Sequence, residues 1–437
     1  MVVVGYLREL FNTKRQERVL EAVVKSSLIN LLARGFGYFR SVAIAVLLGF
    51  SYQTDAFFMA LSLIGIFLIF VDVFDSIGVP ELVKARMKSE EEFKKIAGLL
   101  FTFTFTISIA ITLLALLLMP FVLKIPAGFS ENALQATEVS YLILLPYLFF
   151  NFYFHHFGAV LRSQRRFTAY FVGEFTISIT LFTSTLLGLL FYKDYKILPI
   201  VASLSNSIGA IYMLYAGREY IHFRLFYNET TKRLLSHFLQ LLAVYGVFHL
   251  YILVDRAFAS FLGEKSVSAL YYGLLLASAP RGVLKFENIA ITSLSESQGS
   301  IKKLDFYIKK LFLLTLPISV FLFLFSPIVV KLFFGYGAFS KMDIELTATA
   351  LRFYALSLPF MFFWPLIYRV FQIRGKLLPV GVVGAIGVVA NALFNYLFVF
   401  VLNLGIAGIC LGTFFAYMFI CTLGYFMLRY YDKRAWG

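Results

Sequence analysis

The sequence predicts an all-α polytopic membrane protein, with about twelve transmembrane helices in two parallel six-helix lobes around a central cavity. Three observations predict it. Of 437 residues, 60% are hydrophobic and 14% charged, whereas soluble domains carry about 25% charged residues. Apolar runs of about 18–25 residues, the length that crosses a bilayer, recur along nearly the whole chain. Pieces of the first half also return in the second at a constant offset.

By hydropathy the spans fall near 26–49, 54–79, 97–120, 137–161, 168–191, 198–217, 238–262, 266–292, 311–333, 345–371, 378–402 and 405–428. Hardly any chain remains for a soluble domain. The first span, SSLINLLARGFGYFRSVAIAVLLG, carries Arg34 and Arg40. A guanidinium at membrane depth costs about 3 kcal/mol or more unless it faces water or an anion. Two in one span point to a wet, cationic cavity; snorkelling to an interface is the alternative. Asn30, Arg34, Gly37 and Ser41 form a polar or small stripe at helical spacing. Gly35 and Gly37 permit a bend or local unwinding that would turn both guanidiniums toward one cavity, and they serve equally for close helix packing. In the fourth span His155 and His156 lack cysteine or acidic neighbours, which argues against zinc. Glu174 in the fifth is an isolated membrane carboxylate and a candidate proton site.

The repeat follows. Ala127-Gly128-Phe129-Ser130 matches Gly337-Ala338-Phe339-Ser340, and VLRSQRRF (160–167) matches VFQIRGKL (370–377). Both pairs are offset by the same amount, since 339 − 129 = 210 and 376 − 166 = 210. An even number of spans per copy keeps the copies parallel, a duplication common in secondary transporters. The expected organisation is a lobe over 1–217, a cytoplasmic linker over 218–237 and a lobe over 238–437. The linker is expected to lie on the membrane as an amphipathic helix, with Ile221, Leu225 and Leu234 among its apolar contacts.

In the seventh span stand Tyr245, His249, Asp255 and Arg256. Asp255 and Arg256 are neighbours that point in different directions, while His249 and Arg256 share a face. In the eighth span Ser278, Arg281, Lys285 and Asn288, at intervals of three, four and three, share a face. That stripe lines a cavity or surfaces at a helix end. Asn391 and Asn395 form an i, i+4 pair in the eleventh span, and Thr413 lies in the twelfth. An aspartate with two amides and a hydroxyl can coordinate a small cation through oxygen. Asp255, Asn391, Asn395, Thr413 and Glu174 are therefore candidate sites for a coupling Na+ or H+; interhelical hydrogen bonding is the alternative for the polar set.

The net charge of +15 is distributed by the positive-inside rule. With the N-terminus inside, roughly 27 of the Lys and Arg fall on cytoplasmic loops and termini. Both termini are then cytoplasmic, and the basic loops face anionic membrane lipid rather than nucleic acid. Cys410 and Cys421, both in the last span, read as buried apolar side chains. The start, MVVVGYLREL, has too short an apolar stretch for a cleavable signal, so the first span is expected to act as the membrane signal. No phosphate-binding loop of the Walker type occurs, and no cofactor is expected. Loops of roughly 17 residues at most leave little room for an external catalytic site. The chain reads as a monomeric non-enzyme.

At these residues the sequence resembles the MurJ/MviN branch of the multidrug/oligosaccharidyl-lipid/polysaccharide exporter superfamily. The resemblance is carried by ARGFGYFRSVAIAVLLGFSYQTDAFFMA (33–60), LVDRAFASFLGEKSVSALYYG (253–273), GAVLRSQRRF (158–167) and LFFGYGAFS (332–340). It implies flipping of lipid II, the undecaprenyl-pyrophosphate-linked peptidoglycan precursor, across the bacterial inner membrane by alternating access. An O-antigen or capsule-type lipid-linked oligosaccharide flippase and a drug/cation antiporter are the alternatives. Arg34 and Arg40 match cavity arginines of the family, and Asp55 and Asp255 fall on its acidic positions. The second span lacks the family's basic residue, and its eighth-helix arginine falls on or near Leu275. Arg281 and Lys285 lie roughly two turns along, as local substitutes. The expected cationic ligands are thus Arg34, Arg40, Arg256, Arg281 and Lys285, supported by Asn30, Ser41, Asp55, Ser278 and Asn288. Members of the branch typically have fourteen spans, two more than are expected here.

Overall fold

The structure, a computed structural model, describes residues 19–226, 229–284, 290, 293, 294 and 296–435. Its main elements are fourteen α-helices among the described residues. They are α1 Val19–Leu48, α2 Tyr52–Lys88, α3 Glu90–Val122, α4 Glu131–Ile143, α5 Leu145–Ser163, α6 Phe167–Tyr192 and α7 Ile197–Ala216. The second half contributes α8 Glu229–Ala259, α9 Ser266–Leu284, α10 Ile301–Phe334, α11 Lys341–Ala355, α12 Leu358–Ile373, α13 Leu377–Tyr396 and α14 Gly405–Ala435. Nine helical segments among the described residues are long and apolar enough to cross a bilayer, or ten when α11 and α12, bent by 46° at their break, count as one span. The remaining helices α8 and α9 lie where the seventh and eighth spans are expected. The protein is a multi-pass helical membrane protein.

Local chemistry sets the ends of these helices. Ser89 accepts the Glu92 amide at the start of α3, and Ser340 with Asp343 forms a reciprocal capping box at α11. Pro146 and Pro359 stand in the first turns of α5 and α12, where the missing amide hydrogen is not needed. Each therefore follows a break in an otherwise continuous apolar run.

Two compact units result. The first comprises the described chain up to Leu48, Leu63–Leu123 and Ala136–Leu239; the second comprises Gly49–Ser62, Lys124–Gln135 and the chain from Gln240 onward. In the first, α1 lies along α6, and α5 packs between α3 and α7. Phe36 meets Phe175 and Phe182 at centroid distances of 5.8 and 5.6 Å. In the second, α13 lies along α14, and α11 touches α9, α10 and α14. Its core includes Phe362, Trp364, Phe371, Val383 and Ile420, all buried.

Three expectations change. Residues 49–62 and 124–135, placed by sequence within a lobe over 1–217, belong to the second unit. The reason is close backbone approach: a Cβ at Gly49 would lie 2.5 Å from the Ala338 carbonyl oxygen, and one at Gly128 would lie 2.6 Å from the Ser260–Phe261 backbone. The Gly128 amide also donates to Ser260 Oγ at 3.1 Å. These two crossings are copies of each other, because 128 + 210 = 338 and 49 + 210 = 259, one residue before Ser260.

The second change concerns the linker. In place of an amphipathic helix over 218–237 there is a short 3-10 turn, Arg218–Tyr220, an extended piece over 221–226, and then α8 from Glu229. The extended piece is held on α3: the Arg224 amide donates to Thr102 Oγ1 at 2.9 Å, and Phe223 packs on Phe101 and Phe105. Ile221 is half-buried and Leu225 exposed, while the Leu234 side chain lies outside the described residues. Backbone bonding to a side chain on α3 has replaced the helical bonding that the composition suggests. Third, α1 runs without interruption through Gly35 and Gly37. A Cβ at either glycine would meet nothing within 4 Å, so neither an unwinding nor a close helix contact accounts for them.

Gly49 combines its close contact with a φ of +66°, a region costly for any residue with a Cβ. Gly49→Ala is expected to destabilise the purified protein by more than about 1 kcal/mol, read as a lowered unfolding midpoint. Gly35→Ala, in open space within a helix, should leave the midpoint unchanged or raise it.

Candidate functional site

The most elaborate polar construction lies in the second unit, around Asp255 on α8. Its Oδ1 accepts Asn391 Nδ2 at 3.2 Å and Asn395 Nδ2 at 2.9 Å. Its Oδ2 accepts the Tyr354 hydroxyl at 2.9 Å and Thr413 Oγ1 at 2.5 Å. The carboxylate is 5% exposed, and both asparagines are fully buried. One turn separates Asn391 from Asn395, so α13 presents both amides on a single face. Tyr354 comes from α11 and Thr413 from α14. Gly412 leaves the space for this arrangement, since a Cβ there would lie 2.0 Å from Asn395 Oδ1.

All four donors are neutral, and the amide oxygens of Asn391 and Asn395 are buried without a hydrogen-bond partner. The carboxylate, two amide oxygens and two hydroxyls make an all-oxygen set suited to a hard cation. No group of three or more His, Cys, Asp or Glu that could hold a metal occurs among the described residues. Of the expected coupling set, the structure brings together Asp255, Asn391, Asn395 and Thr413. Glu174 belongs to α6 of the first unit, where the Tyr170 hydroxyl donates to it at 2.6 Å. Tyr354 was not legible as a member: one tyrosine among 26, with no spacing relation to Asp255.

The expected cationic residues occupy different surroundings. Arg40 is buried, and its Nε donates to Thr185 Oγ1 on α6 at 3.3 Å. Arg34, six residues earlier on the continuous helix, is exposed. Ser41 bonds back to the Gly37 carbonyl at 3.3 Å. Arg256 is fastened inside the second unit: Nη1 donates to the Phe58 carbonyl and to Ser62 Oγ, and the guanidinium lies 5.6 Å from the Tyr271 ring centroid. This buried arginine ties the start of α2 to α8, a different setting from the open cationic cavity expected of it.

Asp55 likewise holds internal structure, accepting the Ser268 amide at 2.8 Å and the Ser268 hydroxyl at 2.5 Å. It secures the first turn of α9 to the first turn of α2. Arg281 is half-buried near the end of described α9, and Ser278 bonds to the Leu275 carbonyl at 3.4 Å. Lys285, Asn288 and the side chains of Asn30 and Tyr245 lie outside the described residues. His156 is buried with Nδ1 3.0 Å from Thr104 Oγ1, and Cys410 and Cys421 are free and buried.

Solved structures share this fold. One described as lipid II flippase MurJ in an inward closed conformation superposes with a TM-score of 0.77 at 23% identity, covering 93% of this chain and 87% of that one. An inward-facing multidrug-resistance MATE transporter of the MOP superfamily gives 0.71 at 15% identity, covering 94% and 98%. The fold and its long apolar helices define a polytopic helical membrane protein. A family model described as lipid II flippase MurJ matches residues 44–435, and the chain belongs to that family. Among curated relatives it is similar to the probable lipid II flippase MurJ of Aquifex aeolicus, 27% identical over 387 residues, covering 86% of this chain and 77% of that protein. The protein of the same description from Buchnera aphidicola subsp. Schizaphis graminum is 27% identical over 370 residues, covering 78% and 70%.

A hydrogen bond to a charged group contributes about 1.5–3 kcal/mol. Thr413→Val and Tyr354→Phe should each destabilise the purified protein by about that amount. The double variant should depart from additivity, because both hydroxyls serve the same oxygen. Unfolding in denaturant checks both statements.

Proposed function

We propose that this chain moves an undecaprenyl-pyrophosphate-linked cell-wall precursor of the lipid II kind across the bacterial inner membrane by alternating access. The observation that carries the reading is the family match over nearly the whole chain. The chemistry of the helices supports it. A pyrophosphate crossing an apolar layer must exchange hydration for charge-assisted hydrogen bonds, and arginine offers these in a fixed fork. Arg34 and Arg40 of the first unit supply such contacts during transport, and Arg281 of the second does so in place of the basic residue that Leu275 lacks. Arg256 and Asp55 act indirectly, by holding α2, α8 and α9 in register. The chain works as a monomer, with both termini cytoplasmic and its basic loops against anionic lipid.

The Asp255 set serves as the coupling-ion site in this reading. A Na+ there would take the carboxylate, the Asn391 and Asn395 amide oxygens and Thr413 Oγ1, satisfying two oxygens that have no donor. A membrane potential adds its own drive, since a cationic carrier reorienting in the field responds by about 2.3 kcal/mol per charge per 100 mV. An inside-negative potential returns the empty carrier inward, and the anionic head group offsets that charge on the outward stroke.

The test is growth of cells depleted of their own lipid II flippase. The intact chain should restore growth; failure at normal expression would point to another lipid-linked glycan. Arg34→Ala and Arg40→Ala should each abolish or severely reduce rescue at unchanged membrane abundance, and Arg281→Lys should rescue only partly. In reconstituted vesicles, collapsing the potential should slow turnover even when the pH gradient is kept. Asp255→Asn should remove any dependence on Na+. Turnover that ignores an imposed potential of either sign would exclude the electrical step.

A further inference from the structure

A second polar site in the second unit is built around Asp55, whose Oδ2 and neighbouring cavity are not used in the reading above. It is a cavity of about 140 Å³ where the chain before α4 crosses the turn between α8 and α9, lined by Tyr52, Asp55, Ser130, Ser260 and Glu264. Asp55 is 1% exposed. Its Oδ1 is taken by Ser268, whereas its Oδ2 is buried with no hydrogen-bond partner. Glu264 brings a second carboxylate to the same cavity. The ammonium next to it in sequence is engaged elsewhere: Lys265 Nζ lies 2.9 Å from Asp343 Oδ1.

The internal repeat shows what this crossing lacks. In the second copy, Ser340 caps α11, Asp343 completes the capping box, and Lys265 neutralises that acid. In the first copy, Ser130 (340 − 210 = 130) again caps a helix, accepting the Ala133 amide at 3.3 Å. Asp343, however, corresponds to Ala133 (343 − 210 = 133), and Lys265 corresponds to Asp55 (265 − 210 = 55). One crossing therefore pairs acid with base, and its copy sets two acids around an open space.

We propose that this cavity binds a hydrated divalent cation, held by Asp55 Oδ2 and the Glu264 carboxylate, with Tyr52, Ser130 and retained water completing its shell. At about 30 Å³ per water the space takes an ion and a few waters. Magnesium keeps several waters and takes one or two carboxylates, while calcium accepts more protein oxygens at sites of about 0.1–1 mM affinity. The ion does at this crossing what Lys265 does at the other: it neutralises the acid and fastens loop to turn. By the charge pattern of the loops this end of the unit faces outward, toward the compartment where such ions are plentiful.

The test uses the full chain in nanodiscs of zwitterionic lipid, so that head groups do not compete for ions. Thermal unfolding is followed in sodium-free buffer with MgCl2 alone, CaCl2 alone, and choline chloride at matched ionic strength. Either divalent salt should raise the midpoint saturably, with half-effect at about 0.1–10 mM, and choline chloride should not. Glu264→Gln should weaken the half-saturating concentration at least tenfold while leaving the midpoint in chelator near that of the parent. Glu264→Lys, which places an ammonium at the cavity, should raise the midpoint in chelator and remove the divalent response. No saturable divalent effect, an equal effect of choline chloride, or an undiminished response in Glu264→Gln would overturn the proposal.

Discussion

A polar group inside a bilayer-spanning fold has no water to turn to, and is costly to bury unless it finds a partner on another helix or in its own backbone. Asp255 is the strongest instance, with four donors from three other helices. Weaker instances recur. Tyr141 donates to the Ala115 carbonyl at 2.8 Å, Ser203 to that of Ile143 at 2.5 Å, and Ser319 to that of Ala355 at 2.6 Å. Apolar contact alone orients such helices weakly, because lipid tails are as apolar as leucine. Directional bonds of this kind set which faces of α3, α4, α7, α10 and α11 turn inward.

The duplication explains the paired crossings at Gly49 and Gly128, and also how one scaffold came to hold opposite charges. Asn395 corresponds to Thr185 (395 − 210 = 185), and Asp255 corresponds to Ala45 (255 − 210 = 45). In the first copy Thr185 accepts Arg40; in the second Asn395 donates to Asp255. The same position on equivalent helices therefore serves a guanidinium in one unit and a carboxylate in the other. A hydroxyl and a carboxamide suit these roles, since each can accept or donate. The difference in charge is made by α1 and α8, while α6 and α13 keep their geometry.

Much of this was legible in the sequence, and what was not has common causes. Membrane spans follow from composition because the bilayer fixes both length and polarity, and Asp255, Asn391, Asn395 and Thr413 stood out because polar groups are scarce in such runs. Tyr354 did not, since aromatic hydroxyls abound at membrane depth and only the fold brings this one to Oδ2. The composition of the linker suits an amphipathic helix, whereas Thr102 and the aromatic rings of Phe101 and Phe105 fix an extended strap. Hydropathy registers the charge of Arg256 without its neighbours; the Phe58 carbonyl and Ser62 that receive it lie nearly 200 positions away in the chain. Lys285 and Asn288 lie outside the described residues and add nothing to either account.

The hydrogen bonding at Asp255 also constrains how a cation could be used there. A carboxylate offers about four lone-pair directions, and four donors already occupy Asp255. An entering cation must therefore turn at least one donor away. The hydroxyls of Thr413 and Tyr354 can rotate and offer oxygen instead, and an amide flip at Asn391 or Asn395 would present an oxygen that now has no partner. Each such unpartnered buried group costs about 1–3 kcal/mol, a cost that a cation taken up by these oxygens would offset in part. Entry then exchanges neutral donors for a cation at nearly constant bond count, which favours a modest affinity and ready release.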